Sequence, residues 1–560
     1  MALKRHVWYQ AHRCGTLGAH GVVRLHSRCA GRAPRRPDCP DADALHLTGK
    51  LMAADFSGEA ATASDNKVLT ESENLRNQCK AAMEVVMEEA HDKARKVSQQ
   101  GKSTDGEFTE RIKGAIGAMQ DGLVERDTEV RLLLLAALSG EHVLYIGPPG
   151  TAKSELGRRL SFLCKGAFFE RLLTRFSVPE ELFGPLSMRE LEEDRYIRKT
   201  EGYLPEATVA FIDEIFKANS AILNTLLTVL NERLFDNGPS RVPVPLVCLV
   251  GASNELPESE ELNALYDRFL VRREVKQVSA GGLVDLLSTT AMTSNGVYLD
   301  EAGQPGNSID ESLTLTTKDF SIAKEKACTV SVPKEVIDLL ADLRMWLQDS
   351  CEPPIYVSDR RMVKALNMMQ VAAFTDGRDS VSQIDCLLLQ HVFWNQPEEA
   401  EKIYDWLLAE LSSGLMFDQI QFVLSGMFGR AVRSLHSKEK TSEVHKEVSE
   451  LREILTDKLS DVLASVEGGF PEVLNHLWLA EDEAQAVVNA LLPKLEKARE
   501  ALQQTLYETV SLETGLKLDA DAVLLATLMP KQWSQFVRKA PSDEVEPIGV
   551  TRLRSRKDKP

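Results

Sequence analysis

The stretch Val143–Ser154, which reads VLYIGPPGTAKS, decides the fold of this 560-residue chain. Its first part, VLYIG at 143–147, is a short apolar run typical of a buried strand, and the residues after it, ELGRRLSFL, have the apolar spacing of a helix. A loop between a strand and a helix turns successive backbone N–H groups inward, and the helix amino terminus adds a partial positive charge. The pattern predicts a polyphosphate site.

The residues expected to line this site form one continuous segment. Lys153 is expected to reach the β- and γ-phosphates of a nucleotide, and the Ser154 hydroxyl is expected to hold a magnesium ion. The strict pattern has glycine where Ala152 stands, but alanine is the smallest departure and removes neither the lysine nor the hydroxyl. The predicted nucleotide-binding residues are Gly147, Pro148, Pro149, Gly150, Thr151, Ala152, Lys153 and Ser154.

Two adjacent acids follow a second apolar strand. The run VAFI at 209–212 ends in Asp213 and Glu214. At the end of a strand, Asp213 is placed to bind magnesium through water, and Glu214 can polarise the attacking water. Such a pair alone is equally typical of a solvated strand end, and the phosphate loop upstream favours the catalytic interpretation.

An amide follows a third apolar strand, in GASNE at 251–255. Asn254 could hydrogen-bond a γ-phosphate and the water beside it, although an asparagine at a turn is equally good local chemistry. Its place after the phosphate loop and the acid pair favours a functional role.

Short apolar runs alternate with helical patterns between residues 143 and 276, which predicts a three-layer α/β domain with a parallel sheet. Residues 333–396 have the pattern of a compact helical lid, and strands disappear beyond residue 400. The predicted strands are VLYIG (143–147), FERLL (169–173), VAFID (209–213), VCLVGAS (247–253) and FLVRREV (269–275).

Changes in composition suggest six segments. The apolar stripes beyond residue 400 predict packed helices, and a kink is expected at Pro493. The predicted division is an extension that is disordered or targeting at 1–70, a helix and linker at 71–108, the α/β ATPase core at 109–280, the helical lid at 281–400, a C-terminal helical domain at 401–540 and a disordered basic tail at 541–560.

Charge and cysteine content narrow the functional class. The net charge of −18 argues against nucleic acid as the main partner, and no apolar run approaches the length of a membrane span. The nine cysteines show neither a CxxC pair nor metal-ligand spacing, which predicts a reducing compartment. We expect reduced core side chains at Cys164, Cys248, Cys328 and Cys386.

The first fifty residues leave the compartment open. Before Asp38 the chain has basic residues and no acidic ones, which is typical of an organelle transit peptide. Translation from Met52 would instead give a cytosolic amino terminus. The expectation is a cytoplasmic protein, with a mitochondrial or plastid interior as the alternative if residues 1–51 are a transit peptide.

The motif series GPPGTAKS, VAFIDE, GASNE and LYDRF resembles the AAA+ superfamily of P-loop ATPases, and its details are similar to the MoxR branch. The stretches TRFSVPEELFGPLS (174–187), GYLPEA (202–207) and ILNTLLTVLNER (222–233) are most similar to the RavA regulatory ATPases. The resemblance covers roughly residues 110–400. It implies ATP and Mg²⁺ as ligands, a sheet in the order 5-1-4-3-2, an all-α lid and a hexameric ring.

The resemblance also implies roles for three polar residues. Asn254 would be the first sensor of the γ-phosphate. Arg268, in LYDRF, would be an arginine finger given to ATP on the neighbouring subunit, which would make hydrolysis depend on assembly. Arg360 would be the second sensor in the lid, although the adjacent Arg361 could hold that role. Without the resemblance, an arginine beside Asp267 would be interpreted as half of a surface ion pair.

Two inserts fit the same branch. Residues 176–206 interrupt the core, and residues 233–244 predict a hairpin around an Asp-Asn-Gly turn. Both are candidates for contact with a client protein, and simple surface decoration is equally consistent with them. RavA ATPases carry a β-rich module that docks a lysine decarboxylase, and no strand-rich segment is evident between residues 400 and 540 here.

Two functions remain open from the sequence. The first is a ring-forming ATP hydrolase that remodels or activates a protein or metalloprotein complex, with a partner that carries a von Willebrand factor A (vWA) domain. The alternative is a magnesium-chelatase-like subunit that drives metal insertion into a porphyrin. A scaffold that holds ATP without turnover is disfavoured by Glu214 and Arg268.

Overall fold

The computed structural model describes residues 63–99, 106–292, 310–413, 417–437 and 442–539. The expectations for residues 1–62, including the transit peptide and the Met52 start, and for the tail at 541–560 lie outside these ranges. The chain divides into two units, Met1–Val68 and Leu69–Pro560. Of the first unit, the structure describes only the beginning of a helix, and the description below concerns the second.

Five parallel strands form the central sheet. Its order is β2-β3-β6-β1-β7. Two further strands, β4 Leu234–Asn237 and β5 Ser240–Pro243, form a separate hairpin. When the five sheet strands alone are numbered along the chain and read from the β7 edge, the order is 5-1-4-3-2. The predicted α/β three-layer fold is confirmed. The strands are β1 Val143–Ile146, β2 Phe168–Leu172, β3 Val209–Asp213, β6 Cys248–Ser253 and β7 Val271–Glu274.

Every residue of the central strands β1 and β6 is buried, which shows that both faces of the sheet are covered. Helices provide this cover. Side-chain caps fix where helices begin: Asn219 accepts a hydrogen bond from the N–H of Ile222, and Ser259 accepts one from the N–H of Leu262. The helices are α2 Gly106–Gln120, α3 Asp127–Ser139, α4 Lys153–Cys164, α5 Pro179–Phe183, α6 Met188–Leu191, α7 Ser220–Glu232, α8 Glu260–Tyr266 and α9 Ala280–Met292.

The lid consists of helices that share one buried apolar cluster with the sheet, so it packs directly on the ATPase core. Its last helix continues across the predicted boundary at residue 400, since Ile403 and Leu407 are buried in that cluster. The lid helices are α10 Thr317–Ala327, α11 Lys334–Met345, α12 Asp359–Thr375, a 3₁₀ helix at Gln383–His391 and α13 Pro397–Ser413.

A second apolar cluster lies in a helical bundle that joins residues 82–94 of the amino-terminal helix to the carboxy-terminal helices. The amino-terminal helix α1, Ala63–Gln99, begins within the predicted extension and buries Val86 and Ala90 among the carboxy-terminal helices. These helices are α14 Phe417–Ser437, α15 Ser442–Gly468, α16 Pro471–Leu474, α17 Glu481–Lys517, α18 Ala522–Leu528 and α19 Pro530–Lys539.

One long helix connects the two clusters. In α17, Val487 and Leu491 pack with the lid and sheet, while Leu502 and Leu506 pack in the bundle. The helix runs through Pro493, which removes one backbone hydrogen bond from its interior. The bundle is therefore fixed to the ATPase core through a continuous helix.

The predicted burial of the cysteines is confirmed at most positions. Cys248 and Cys386 are buried free thiols and Cys164 is half-buried, but Cys328 is exposed at the end of α10, so its predicted core position is wrong. The amphipathic period there places Ala323 and Ala327 inward instead. Within the described residues, no helix has both the length and the apolar character needed to cross a membrane.

Candidate active site

The loop between β1 and α4 has three residues with positive φ. Gly147 has φ 155°, and a Cβ there would lie 2.2 Å from the carbonyl oxygen of Val275, so only glycine fits. Gly150 has φ 79°. Ala152, in the place where the strict pattern has glycine, has φ 64° in the left-handed region. Alternating conformations of this kind form a concave anion site from backbone N–H groups.

Lys153 is the first residue of α4, and its side chain folds back into this loop. The Nζ donates hydrogen bonds to the carbonyl oxygens of Gly147 at 2.9 Å and Pro148 at 2.7 Å. Burial lowers the pKa of Lys153, and the charges of Asp213 and Glu214 act in the opposite direction. The ammonium therefore lies inside the cradle and within electrostatic reach of both acids.

The acid pair lies at the end of the buried strand β3. The N–H of Glu214 donates to Oδ1 of Asp213 at 3.0 Å, and Glu214 itself is in the left-handed region with φ 52°. A non-glycine residue in this region costs free energy, and such strain is concentrated at functional sites. The Nζ of Lys217 lies 3.2 Å from Oε2 of Glu214 and orients its carboxylate.

Sheet register places these groups at one edge. Strand β6 lies between β1 and β3, with Ser253 opposite Ile146 and Gly251 opposite Ile212. Asn254, directly after β6, is exposed and follows Ser253 at the same carboxyl edge. The structure thus brings the phosphate loop, the acid pair and Asn254 together, as expected for parallel strands.

The oxygen donors at this edge suit a magnesium ion. The hydroxyl of Ser154, in the first turn of α4, and the carboxylate of Asp213 are hard ligands of the kind that Mg²⁺ takes. Among the described residues, no cluster of three or more His, Cys, Asp or Glu side chains is suited to a metal. A magnesium ion held by Ser154 and Asp213 would therefore take its remaining ligands from phosphate and water oxygens. Two protein ligands are enough for an ion bound in this way.

Arg268 lies at the opposite edge of the sheet. It precedes β7, whose first residue, Val271, pairs with Val143 at the beginning of β1. Four residues of β1 separate the two edges, a distance of about 13 Å. The Nη1 of Arg268 is 3.4 Å from Oδ2 of Asp267, and its Nε is buried without a hydrogen-bond partner in the described structure. Arg268 is therefore separated from the phosphate loop of its own chain.

The two lid arginines differ in their surroundings. Arg361 is 2% exposed and donates to the carbonyl oxygen of Val392, and burial holds its pKa well below the ordinary value. Its guanidinium is occupied inside the protein, which excludes it as a phosphate sensor. Arg360 is exposed and donates to Oδ1 of Asn231, so it is the candidate of the two.

Arg360 also lies at the amino edge of the sheet, which is the edge where the parallel strands begin. Asn231 is near the end of α7, and Arg233 directly after that helix donates to the carbonyl oxygen of Gly140, just before β1. Burial is the main cause of a lowered pKa at Arg268, and the positive charge of Arg360 is the next. The structure thus brings Arg268 and Arg360 near each other, away from the phosphate loop.

Comparisons with known proteins match the two parts of this structure, the sheet domain and the lid, to domains of AAA+ proteins. The family model of the MoxR domain from MoxR–vWA–β-propeller ternary systems matches residues 110–304, and a model of an AAA lid domain matches residues 335–407. Two proteins of Methanocaldococcus jannaschii, both called uncharacterized, are similar to this chain. The first is 41% identical over 278 residues, which are 49% of this chain and 68% of that protein. The second is 39% identical over 281 residues, which are 50% of this chain and 70% of that protein.

The chain belongs to the MoxR family of AAA+ ATPases. A Mycobacterium tuberculosis protein called chaperone MoxR1 is 32% identical over 160 residues, which are 28% of this chain and 40% of that protein. The more specific likeness to RavA ATPases stays a prediction.

Two residues of this MoxR-family site were missed by sequence reasoning. Arg126, before α3, donates through Nε to the carbonyl oxygen of Thr151 at 3.2 Å and through Nη2 to that of Lys276 at 2.8 Å, so it ties the phosphate loop to the end of β7. The signal for Lys217 was its position three residues after Glu214. For Arg126 the sequence offers no signal, because both acceptors are backbone atoms.

The two MoxR inserts form one surface. The hairpin consists of β4 Leu234–Asn237 and β5 Ser240–Pro243, so the predicted hairpin is present, with Gly238 and Pro239 as the two turn residues. Asn237 Oδ1 accepts from the N–H of Arg198 at 2.7 Å, and its Nδ2 donates to the carbonyl oxygen of Arg198 at 3.1 Å. The side chain therefore fastens the insert at 176–206 to the hairpin.

Proposed function

We propose that this chain is an ATP hydrolase that assembles into a ring through head-to-tail contacts and that it remodels or activates a protein or metalloprotein complex.

ATP binding at the carboxyl edge of one subunit and the arginine pair at the amino edge of the next would together make each complete site. The single observation that carries this proposal is the separation of Arg268 and Arg360 from the loop at 147–154 of the same chain.

The division of the site between two edges supports assembly. The phosphate loop and the acid pair lie at the carboxyl edge, so one subunit holds the groups that bind and activate. A guanidinium supplied by a neighbouring copy stabilises the charge that develops on the transferred phosphoryl group. A head-to-tail contact of this kind closes into a ring when the rotation between subunits allows it, and we propose a hexamer.

Each residue of the site has a proposed task. When bound, magnesium ATP supplies the phosphoanhydride to be cleaved and a cation that offsets phosphate charge. Lys153 would move from the loop carbonyl oxygens to the phosphates, and Ser154 and Asp213 would hold the ion. Glu214 would accept a proton from the attacking water, in an orientation set by its strained backbone and by Lys217. Asn254 would hydrogen-bond the γ-phosphate.

The partner proposed is a vWA-domain protein, since the matching family model describes MoxR domains from systems that contain one. The surface formed by the insert and hairpin is proposed to contact the client. Large apolar side chains of the insert are exposed, with Phe176 at 91%, Met188 at 70% and Tyr196 at 58%. Large apolar side chains exposed on one segment are typical of protein contact sites.

The Glu214→Gln variant tests the proposed hydrolysis and assembly. The amide cannot accept the proton, so we expect ATP binding to persist while turnover falls by about 10² or more. Light scattering in ATP should then show a persistent assembly, and this assembly should capture the vWA-domain protein. The matched control, Lys153→Ala, should not bind ATP, and its assembly should be the same with and without the nucleotide. Hydrolysis by Glu214→Gln at the parent rate would refute the role of this acid.

A further inference from the structure

We propose that Asn231 is a positioning residue that holds Arg360 ready for the nucleotide site of the neighbouring subunit. The inference rests on the proposed function, because it assumes that Arg360 acts on a neighbour's ATP. Its direct support is the hydrogen bond from Nη2 of Arg360 to Oδ1 of Asn231, which joins the lid to the penultimate residue of α7.

Among the residues that the structure describes, few other groups hold Arg360. Its neighbour Asp359 pairs with Arg344, with Nη1 and Oδ1 at 2.7 Å. Arg268 and Lys364 lie near enough to Arg360 for their positive charges to repel it. The ammonium of Lys364 is paired with Glu141. A long, exposed arginine side chain loses considerable rotamer entropy when it is ordered. A fixed acceptor therefore gives Arg360 a defined position that its charged neighbours do not.

The chemistry of the acceptor suits a group that must later bind an anion. An amide oxygen orients the guanidinium through one hydrogen bond and leaves its positive charge in place. A carboxylate at position 231 would form an ion pair and compete with phosphate oxygens for the same N–H groups. Asparagine thus allows Arg360 to be oriented before the neighbour's nucleotide arrives.

The helix that carries Asn231 is a rigid support. In α7, Ile222, Leu226 and Val229 are fully buried against the core. Its thirteen residues span about 20 Å, from the turn that follows Glu214 to the amino edge. The same helix therefore connects the chain's own acid pair at one end with the arginine lent to a neighbour at the other.

A double-mutant cycle in the full-length chain tests the assignment, with Asn231→Ala, Arg360→Ala and the combined variant. We expect Asn231→Ala to lower kcat about five- to tenfold, as for loss of one exposed hydrogen bond to a charged group, with KM and the Kd for ATP within about twofold of the parent. The combined variant should be no slower than Arg360→Ala alone, because the effect of Asn231 passes through Arg360. Asn224→Ala is the matched control.

Asn224 is an exposed asparagine of the same helix, seven positions earlier and so on nearly the same face. Its variant should keep kcat within about twofold of the parent. An unchanged kcat in Asn231→Ala, or an equal further loss when it is added to Arg360→Ala, would overturn the positioning role and leave the proposed function intact. Parent-like hydrolysis by Arg360→Ala would overturn both this inference and the lid-sensor role.

Discussion

Ala152 is the residue at which this site departs from the strict phosphate-loop pattern. Its φ of 64° shows why glycine is usual there, since the left-handed region places Cβ too close to the following carbonyl oxygen. The chain keeps the loop geometry in spite of this strain. The sequence identified the departure, and the structure shows its backbone cost.

Replacing Ala152 by glycine should relieve this strain. We expect Ala152→Gly to raise the free energy of unfolding by about 0.5–1 kcal/mol, because the strain removed exceeds the added entropy of the unfolded chain. Denaturant unfolding without nucleotide measures the change. The control Ala501→Gly, at an exposed position inside α17, should lower stability by about 0.5–1 kcal/mol. A loss of stability in both variants would contradict the strain argument.

Residues in local motifs could be predicted, and residues with distant partners could not. The spacing of Lys153, Asp213 and Glu214 relative to their strands is visible in the sequence. In contrast, Asn231 is 129 residues from Arg360, and Arg126 is 150 residues from Lys276, so each role depends on tertiary packing. The choice between Arg360 and Arg361 required burial, which two adjacent arginines in a sequence do not reveal.

At the scale of elements, the sequence predicted the bounds of the strands to within about two residues. The reason is that a short apolar run between two helical patterns is almost always a buried strand in an α/β fold. The amphipathic pattern of α1 indicated that it needs a partner, but not which one. The structure pairs it with the carboxy-terminal helices, where Val86 and Ala90 are buried. Periodicity defines an apolar face without specifying what covers it.

The contact between the two inserts gives an element-scale prediction. Asn237→Ala removes both hydrogen bonds to the backbone of Arg198, so we expect faster amide exchange at 186–198 and 234–243 with little change in ATP affinity. Hydrogen exchange followed by mass spectrometry measures both segments. Ser240→Ala, which removes only a bond to the carbonyl oxygen of Asn237, is the control. Parent-like exchange in both segments would show that Asn237 does not fasten them.

At the scale of the whole molecule, we propose that the chain presents half of a nucleotide site at each edge of its sheet. The fold and the family are evident from the motifs, whereas the separation of Arg268 from its own phosphate loop becomes visible only through the register of β7 on β1. The central claim is that two subunits share each site. It predicts that two defective variants can complement one another.

Mixing Lys153→Ala with Arg268→Ala tests that claim most directly. Lys153→Ala keeps Arg268 but cannot bind ATP, and Arg268→Ala keeps the pocket but should turn over more slowly by on the order of 10³. In a random equal mixture, about a quarter of neighbouring pairs join an intact pocket to an intact arginine. The steady-state ATPase rate of the mixture should recover to about a quarter of the parent rate per subunit. A mixture no faster than the average of the two variants would contradict the shared site.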